Sequence, residues 1–245
     1  MKQQGVTKGA GLGYAISPSS SAAAQRIVDG LATVGLPGGY VNTSIPFGGE
    51  NVGPVILDMK RQGVDGAYLA MDNGTNFAVA NTAIQDGLVF KALVMATGYD
   101  ENLLTNPTTL ATAEKGNVFL VSNFVPYEAA TPGVNRMRAI FQKYLGIPVS
   151  YHPIYGYWVA YGDAQLLIDG LMAAGRNPTR QGFVDAVRTF DDYTADGLFC
   201  SGVSFTPATY GKVDTRDGCS YIIKVADGKF TVVGKVTGHN IPPSS

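Results

Sequence analysis

The sequence is short of charge, of histidine and of long apolar runs, and each shortage argues against a class of function. Charged residues make up 15% of the chain and the formal net charge is −1, which indicates neither nucleic acid nor an acidic membrane surface as a partner. No stretch approaches the roughly 18 apolar residues that a transmembrane helix needs. Residues 1–5 lead into no signal-peptide core, so we expect no export signal in the chain as written.

The motifs of common enzyme families are missing as well. His152 and His239 are far apart, with no cysteine or carboxylate at ligand spacing, so we expect no metal site and no cofactor. The glycines of residues 9–13 fall inside a strand and the turn after them is rich in serine, unlike a dinucleotide-binding loop. No P-loop, GxSxG or HExxH motif is present. We expect a protein that is not an enzyme, with an α/β enzyme using Asp72 or Asp100 as the alternative.

Residues 62–76, QGVDGAYLAMDNGTN, give the clearest indication of a ligand site. The apolar run from Val64 to Ala70 is typical of a strand that is buried on both faces of a parallel sheet. It changes abruptly to small polar residues at 72–76. Open α/β sheets bind ligands where the carboxyl end of a parallel strand leads into a helix. We therefore expect this loop to form half of a small-molecule site.

Short apolar strands alternate with amphipathic helices through the first half of the chain. Strands are expected at residues 9–16, 40–45, 64–70 and 91–94. The helices between them should bury Ala24, Ile27, Val28, Leu31 and Val34; then Val52, Val55, Ile56 and Met59 after a cap at Asn51; then Phe77, Ala80, Ala83 and Ile84 in a helix over 76–86. Four β/α units in series predict an α/β fold with a doubly wound parallel sheet.

The second half has a different character. A strand at 118–121 runs into an irregular segment at 122–127, and three helices follow with hardly a strand between them. Their apolar faces are Met137, Ile140, Phe141 and Tyr144; Ala160, Ala164, Leu167, Leu171 and Ala174; and Phe183, Val184 and Val187. Strands at 202–205, 221–225 and 230–233 close the chain, the last two joined by Asp227-Gly228. Because these helices outnumber the strands, they must pack on a sheet from elsewhere.

Cys200 and Cys219 are the only two cysteines, and both lie in the last quarter of the chain. A disulfide between them, formed outside the cytoplasm, would stabilise the fold by about 3 kcal/mol for a loop of this length. The alternative is a pair of unbonded, buried thiols. Their clustering around the predicted hairpin favours the disulfide.

Several stretches in succession resemble the type I periplasmic solute-binding proteins of branched-chain amino acid ABC transporters. These are the strand and serine-rich turn YAISPSS, then LDMKRQGVDGAYLA, NVFLVSNFVPYEAATPGVNRMRAIFQKY and GDAQLLIDGLMAAGRNPTRQGFVDAVR, and finally VSFTP with CSYIIKVADGKFTVV. The resemblance covers nearly the whole chain, and the order of the stretches carries it rather than any single motif.

The resemblance implies two α/β lobes that close over a small ligand. Residues 6–121 would be the second lobe, 122–200 a hinge crossover with helices of the first lobe, and 201–236 a terminal hairpin that returns to the second lobe. The opening block of the first lobe has no counterpart before Met1, so we expect a truncated chain with an incomplete lobe. The helices of that lobe would then expose apolar faces, which favours association.

Ligand contacts are expected at the loops that follow the strands. Ser17, Ser19 and Ser20 lie at a strand-to-helix turn, where a helix N-terminus attracts a carboxylate, although they could simply cap the helix. Asp72 and Asn73 follow the next strand; Asp72 could accept an ammonium group, or the pair could form a cap or an Asx-turn.

Residues 96–101 match the place where relatives often carry an acidic residue for the ligand's amino group. Asp100 or Glu101 could serve in that role, with Tyr99 as an aromatic wall; alternatively, Asp100 caps a short helix over 101–104. Tyr127, just after the hinge segment, could face the ligand or pack within the hinge.

The resemblance implies the substrate-binding component of an ABC importer, with an amino acid or related carboxylate or amide as ligand and a membrane permease as partner. A ligand-binding sensory domain of a receptor is the alternative within the same class. The resemblance and the expected disulfide favour a periplasmic or extracellular location, with a lipid anchor as one option for the full-length protein.

Overall fold

The computed structural model describes residues 1–36, 39–49, 51–209 and 218–237. Its strands are β1 Gly9–Tyr14, β2 Tyr40–Ile45, β3 Gly66–Leu69, β4 Ala92–Met95, β5 Val118–Ser122, β6 Cys219–Ala226 and β7 Lys229–Thr237. Its helices are α1 Pro18–Thr33, α2 Gly53–Arg61, α3 Asn73–Gln85, α4 Glu101–Thr105, α5 Pro107–Lys115, α6 Pro132–Leu145, α7 Tyr155–Ala174 and α8 Arg180–Val187. Across these ranges no helix is both long and apolar enough to cross a membrane.

The strands form one sheet in the order β2-β1-β3-β4-β5-β6-β7. The pairs from β2 to β5 are all parallel, and β1 lies between β2 and β3. The carboxyl ends of these five strands therefore meet at one edge of the sheet. The predicted α/β fold with a doubly wound parallel sheet is confirmed.

The chain forms two compact units. The first unit is Met1–Val121 with Ile222–Val233, and the second is Ser122–Tyr221 with the chain from Gly234 on. In the first unit the central strands are almost wholly buried, and Leu12, Leu69, Leu93 and Leu120 are at most 1% exposed. A hydrophobic core of this kind fixes the strands, so the loops at their ends are held in defined places.

Strand β1 carries alternate glycines because α1 packs directly on its backbone. A Cβ at Gly11 would lie 2.1 Å from the carbonyl oxygen of Ala24, and one at Gly13 would lie 2.6 Å from that of Ser20. Only a hydrogen fits in these places. The glycines of the predicted strand therefore serve the packing of helix on sheet.

An irregularity separates β1 from β2 near their carboxyl ends. Leu12 pairs with Asn42, but Tyr14 pairs with Ile45, so β2 has one residue more than β1 between the two pairs. One extra residue on one of two paired strands defines a β-bulge, which bends the strand that carries the extra residue. The bulge lies just before the loop of residues 46–49.

Asp65 joins three strands at the opposite, amino edge of the sheet. Its carboxylate accepts hydrogen bonds from the backbone amides of Thr7 and Lys8 and from the Thr7 hydroxyl, and lies 2.8 Å from the Lys91 ammonium. Burial alone would raise the pKa of Asp65, but these hydrogen bonds, first that of Lys8 and then that of Lys91, lower it to about 2. The residues before β1, β3 and β4 are thereby tied together.

Two local expectations in the first unit were wrong. Asn51 does not cap α2: it has φ 57°, the N-cap residue is Val52, and Val52 makes no side-chain cap. The helix expected over 76–86 begins three residues earlier, at Asn73, because the Asp72 carboxylate accepts the amide hydrogen of Thr75 and caps it there. The expected inward face of α2 holds, since Ile56 and Met59 are fully buried.

The last part of the chain forms the hairpin of β6 and β7. Asp227 and Gly228 both have positive φ, as a tight two-residue turn requires. The strand expected at 202–205 is not formed; Val203 makes a single isolated bridge with Tyr193. Of the segment expected at 201–236, residues 210–217 lie outside the described residues, as does His239.

The second unit contains α6, α7 and α8 around a group of aromatic rings. The ring of Phe124 lies 5.8 Å from that of Trp158 and 5.4 Å from that of Phe199, both edge-on. Helix α8 packs on α7 at Gly170, where a Cβ would lie 2.4 Å from the Phe183 ring. Helix α7 therefore packs on α8 and on this group of aromatic rings on one side.

The other side of α7 is exposed. The apolar face predicted for α7 contains Leu167, which is 52% exposed, and Leu171, which is 40% exposed; Met172 beside them is 75% exposed. This exposure agrees with the expectation that helices of an incomplete lobe expose apolar faces. Periodicity located the apolar face, and the described residues leave much of it uncovered.

The predicted disulfide between Cys200 and Cys219 is present, with Cα atoms 5.5 Å apart. Both ends of the bond contact the segment after β5. The Cys200 amide donates to the Asn123 carbonyl at 2.8 Å, and the Ser220 hydroxyl donates to the Asn123 side chain at 2.8 Å. The disulfide thus fixes the start of β6 beside residue 123 within the second unit.

Candidate functional site

The polar loops that follow β1, β3 and β4 lie at the carboxyl edge of the sheet in the first unit. This edge brings together most of the residues that the sequence singled out: Ser17, Ser19, Ser20, Asp72, Asn73, Tyr99 and Asp100. Tyr127 belongs to the second unit. Among the described residues, no group of acidic, histidine or cysteine side chains is arranged to hold a metal ion.

The three serines at the start of α1 differ in what they contact. The Ser17 hydroxyl accepts the amide hydrogen of Ser20 at 3.3 Å and caps the helix, and it lies 3.1 Å from the Ser19 hydroxyl. Ser20 is 9% exposed; its hydroxyl donates to the Ala70 carbonyl at 2.6 Å and accepts from the Tyr14 amide. Ser20 therefore joins β1 to the loop after β3, whereas Ser19 is exposed to solvent.

Asp72 is held by a residue that the sequence did not mark. The Tyr14 hydroxyl, at the end of β1, donates a hydrogen bond to the Asp72 carboxylate and lies 2.6 Å from the Thr75 hydroxyl. Burial opposes ionisation of Asp72, but the hydrogen bonds from Tyr14 and Thr75 lower its pKa overall. Burial and the Asp72 carboxylate raise the pKa of the Tyr14 hydroxyl. Asp72 is thus an anion whose main partners are within the protein.

Asn73 and Asp100 join the loops after β3 and β4. The Asn73 amide nitrogen donates to the Asp100 carboxylate at 3.2 Å, and the Asn102 backbone amide donates to the same carboxylate at 3.0 Å. Asp100 is 4% exposed and caps α4, as the sequence allowed. That Asp100 contacts a ligand stays a prediction.

The two predicted aromatic residues are both packed. Tyr99 is 6% exposed, and its ring lies edge-on to Phe230 with centroids 4.9 Å apart. Tyr127, in the second unit, is 3% exposed between the Arg138 guanidinium, 4.1 Å above its ring, and the Trp158 indole. Burial raises the pKa of the Tyr127 hydroxyl, although the Arg138 charge opposes this. These contacts agree with the second of the two expectations for Tyr127, that its side chain is packed inside the protein.

Sequence reasoning missed a second layer of polar residues beneath the loops. Asn76 is fully buried, and its amide nitrogen donates to the Met71 carbonyl at 3.0 Å and to the Thr97 hydroxyl at 3.1 Å. The Thr97 hydroxyl donates to the same carbonyl at 3.0 Å. Asn76 belongs to the polar stretch 72–76, but its expected place at the start of a helix gave no sign that its side chain is buried. This layer holds the loops after β3 and β4 in a fixed arrangement.

These contacts define a class of site. Rigid strands hold three polar loops at one edge, the N-termini of α1 and α3 lie there, and the acidic side chains are bonded to neighbours rather than poised for proton transfer. Such an arrangement suits the binding of a small polar molecule.

The comparison of the sequence with protein families gives the same answer. Residues 1–229 match the model described as "Periplasmic binding protein", and the chain belongs to that family. The resemblance seen in the sequence is thereby confirmed, and the members of this family are solute-binding proteins rather than enzymes. Such proteins bind small molecules and deliver them to ABC permeases. Membership of this family is consistent with a location outside the cytoplasm. No curated protein matches the sequence.

Solved structures show the same fold at low sequence identity. A branched-chain amino acid ABC transporter protein from Thermus thermophilus with bound valine has a TM-score of 0.77 and 17% identity, over 96% of this chain and 61% of its own. A solute-binding protein from Rhodopseudomonas palustris in complex with p-hydroxybenzoic acid has a TM-score of 0.67 and 18% identity, over 98% and 62%. A fatty acid ABC transporter substrate-binding protein from Thermomonospora curvata has a TM-score of 0.68 and 21% identity, over 99% of this chain and 62% of its own. The chain thus spans about 61% of the length of these proteins.

Proposed function

We propose that this chain belongs to the substrate-binding component of an ABC importer, acts outside the cytoplasm, and binds a small amino acid or a related carboxylate or amide. The observation that supports this most strongly is the gathering of three polar loops at one sheet edge in a chain of the periplasmic binding protein family. A membrane permease is the proposed partner.

The helix starts at this edge suit a carboxylate. Both α1 and α3 begin there, and the first amides of a helix carry partial positive charge that favours an anion. At α1 the hydroxyls of Ser17 and Ser19 are the closest side-chain donors that reach solvent. At α3 the Asp72 carboxylate already occupies the helix start, so α1 is the proposed carboxylate contact.

The ligands of the similar structures fit this chemistry. Valine and p-hydroxybenzoic acid are bound in two of these structures, and the third protein is named for fatty acids; the three compounds differ in their bodies, but each has a carboxyl group. In this chain Asp100 and Asn73, which are joined by a hydrogen bond, are the proposed contacts for the polar group of an amino acid or an amide, with Tyr99 behind them.

The test is ligand-dependent thermal stability of the 245-residue chain with valine, valinamide, 4-hydroxybenzoate and decanoate. A ligand at about a hundred times its Kd stabilises the folded state by about 2.7 kcal/mol, which raises the Tm of a chain this size by about 5–10 °C. Cooperative melting with no rise for any of the four ligands would refute the proposed function.

Variants then locate the carboxylate. Ser19→Ala should weaken the binding of valine and 4-hydroxybenzoate several-fold, because it removes one exposed donor at the start of α1. Thr33→Ala is the matched control, since it removes an exposed hydroxyl at the other end of the same helix. Equal binding by both variants would argue against α1 as the carboxylate contact. Valinamide, which lacks the carboxylate, should respond to neither change.

A further inference from the structure

The side chains that reach solvent at the carboxyl edge are less polar than the sequence suggested. Ser20, Asp100 and Tyr14 are at most 9% exposed and hydrogen-bond to other parts of the first unit. In contrast, Ile16 is 72% exposed and Phe47 is 68% exposed. Part of the surface that a ligand would meet here is therefore apolar.

Ile16 and Phe47 lie on neighbouring loops. Ile16 follows β1 and Phe47 follows β2, and the Ala15 amide donates to the Ile45 carbonyl at 3.2 Å between them. The two exposed side chains are thus each within two residues of one hydrogen bond that joins the loops.

The position of Phe47 is fixed by its turn. The Gly49 amide donates to the Pro46 carbonyl at 3.2 Å, and Gly49 has φ 69°, which closes a tight turn. A Cβ at Gly49 would lie 3.1 Å from the Cα of Thr75, so the turn rests on the first residues of α3. The Phe47 ring lies 5.4 Å from the ring of Tyr14, whose hydroxyl binds Asp72.

Other exposed apolar side chains of the first unit lack this setting. Val89 is 71% exposed but precedes β4, at the amino edge, and Leu57 is 52% exposed on α2. Single exposed apolar residues are ordinary on protein surfaces. Ile16 and Phe47 differ because both follow strands at the carboxyl edge, on neighbouring loops, and the Phe47 ring contacts Tyr14 of the polar network.

The geometry points to Ile16 and Phe47 as an apolar rim that selects ligands with an aliphatic or aromatic body over small polar carboxylates. The inference rests on the proposed function and adds the substrate class. The polar loops hold the charged end of the ligand, and the rim covers its apolar end, because burying both surfaces removes apolar area from water.

The experiment compares ligands that differ only in their body, alanine with leucine and acetate with 4-hydroxybenzoate, by isothermal titration of the full chain. Wild type should bind the larger member of each pair more tightly. Phe47→Ala should weaken the binding of leucine and 4-hydroxybenzoate about tenfold and leave that of alanine and acetate within about twofold, since only the apolar contact is lost. Phe47→Leu should restore most of the leucine binding, and Val89→Ala, the matched control, should change nothing.

The outcomes separate the two proposals. Binding of none of the four ligands by wild type overturns the proposed function and this inference with it. Binding by wild type with Phe47→Ala indistinguishable from it for every ligand overturns the rim alone. An equal loss for all four ligands also overturns the rim, because the change then acts on the whole site. An unchanged Tm of ligand-free Phe47→Ala shows that the variant folds; if that Tm falls, Phe47→Leu alone decides the comparison.

Discussion

Replacing Gly11 by alanine tests the close contact between β1 and α1. The new Cβ would lie 2.1 Å from the carbonyl oxygen of Ala24 and 2.8 Å from its carbonyl carbon. Both atoms belong to the backbone of α1, so no side-chain rotation can relieve the overlap. The helix would have to move away from the sheet by about 1.5 Å to reach an ordinary contact distance.

The expected loss of stability follows from two opposing effects. Alanine restricts the unfolded chain more than glycine does, which favours folding by about 0.4–1 kcal/mol. Overpacking a tight contact costs about 1–3 kcal/mol, and a backbone neighbour places this case at the upper end. We expect a net loss of about 2 kcal/mol, which lowers the Tm of a chain of this size by about 4–8 °C.

The assay should report on the first unit by itself. The one tryptophan, Trp158, lies in the second unit, so its fluorescence follows the other half of the chain. Amide hydrogen exchange in β1 and β3 measures the free energy of opening of the first unit directly. Gly30→Ala is the control, because a Cβ at Gly30 in α1 meets nothing within 4 Å and should stabilise the helix by about 0.5–1 kcal/mol. Gly11→Ala as stable as wild type, or a loss of similar size in Gly30→Ala, would refute the packing argument.

Three other changes test separate features. The pKa of Asp65 is about 2 in the folded state against an ordinary 3.8, so its stabilisation is fully present above pH 3.8 and is lost as the pH falls to about 2. Asp65→Asn should lower the free energy of unfolding at neutral pH by about 1–2 kcal/mol, allowing for solvent screening. Measured by urea unfolding, this free energy should then fall less steeply between pH 3.8 and about 2 than in wild type; the same pH dependence in both would contradict this. Breaking the disulfide with the pair Cys200→Ser and Cys219→Ser should cost about 3 kcal/mol, and dithiothreitol should then destabilise wild type but not the double variant. Gly170→Ala should cost about 1–2 kcal/mol, seen by Trp158 fluorescence, because the Phe183 ring can move in part; no loss would show that α8 packs loosely.

Local pattern was enough to predict the framework of the first unit. The apolar runs that become β3 and β4 are buried on both faces, and a run of that kind has few other places in a soluble fold. The polar residues at the ends of those runs were expected to meet because parallel strands place their carboxyl ends together. Asp72, Asn73 and Asp100 do meet there.

Contacts between distant residues could not be predicted in the same way. The partner of Asp72 is Tyr14, 58 positions earlier, and nothing near either residue in the sequence announces the pair. Periodicity also says which face of a helix is apolar but not whether anything covers it, as the exposed Leu167 shows. The short run at 202–205 has the composition of a strand, yet it finds no neighbouring strand beyond one bridge at Val203.

The extra residue in β2 has a consequence for how this fold can vary. Removing Thr43 or Ser44 would restore a regular register and leave Ile45, now 1% exposed, opposite Tyr14. The core would keep its residues, while the strand end that carries residues 46–49 would lose the bend that the bulge gives it. An insertion or deletion in this strand therefore re-aims a loop at the site edge while every side chain of the site stays the same. A change in strand length is thus a second way, beside substitution, to alter the surface at this edge of the sheet.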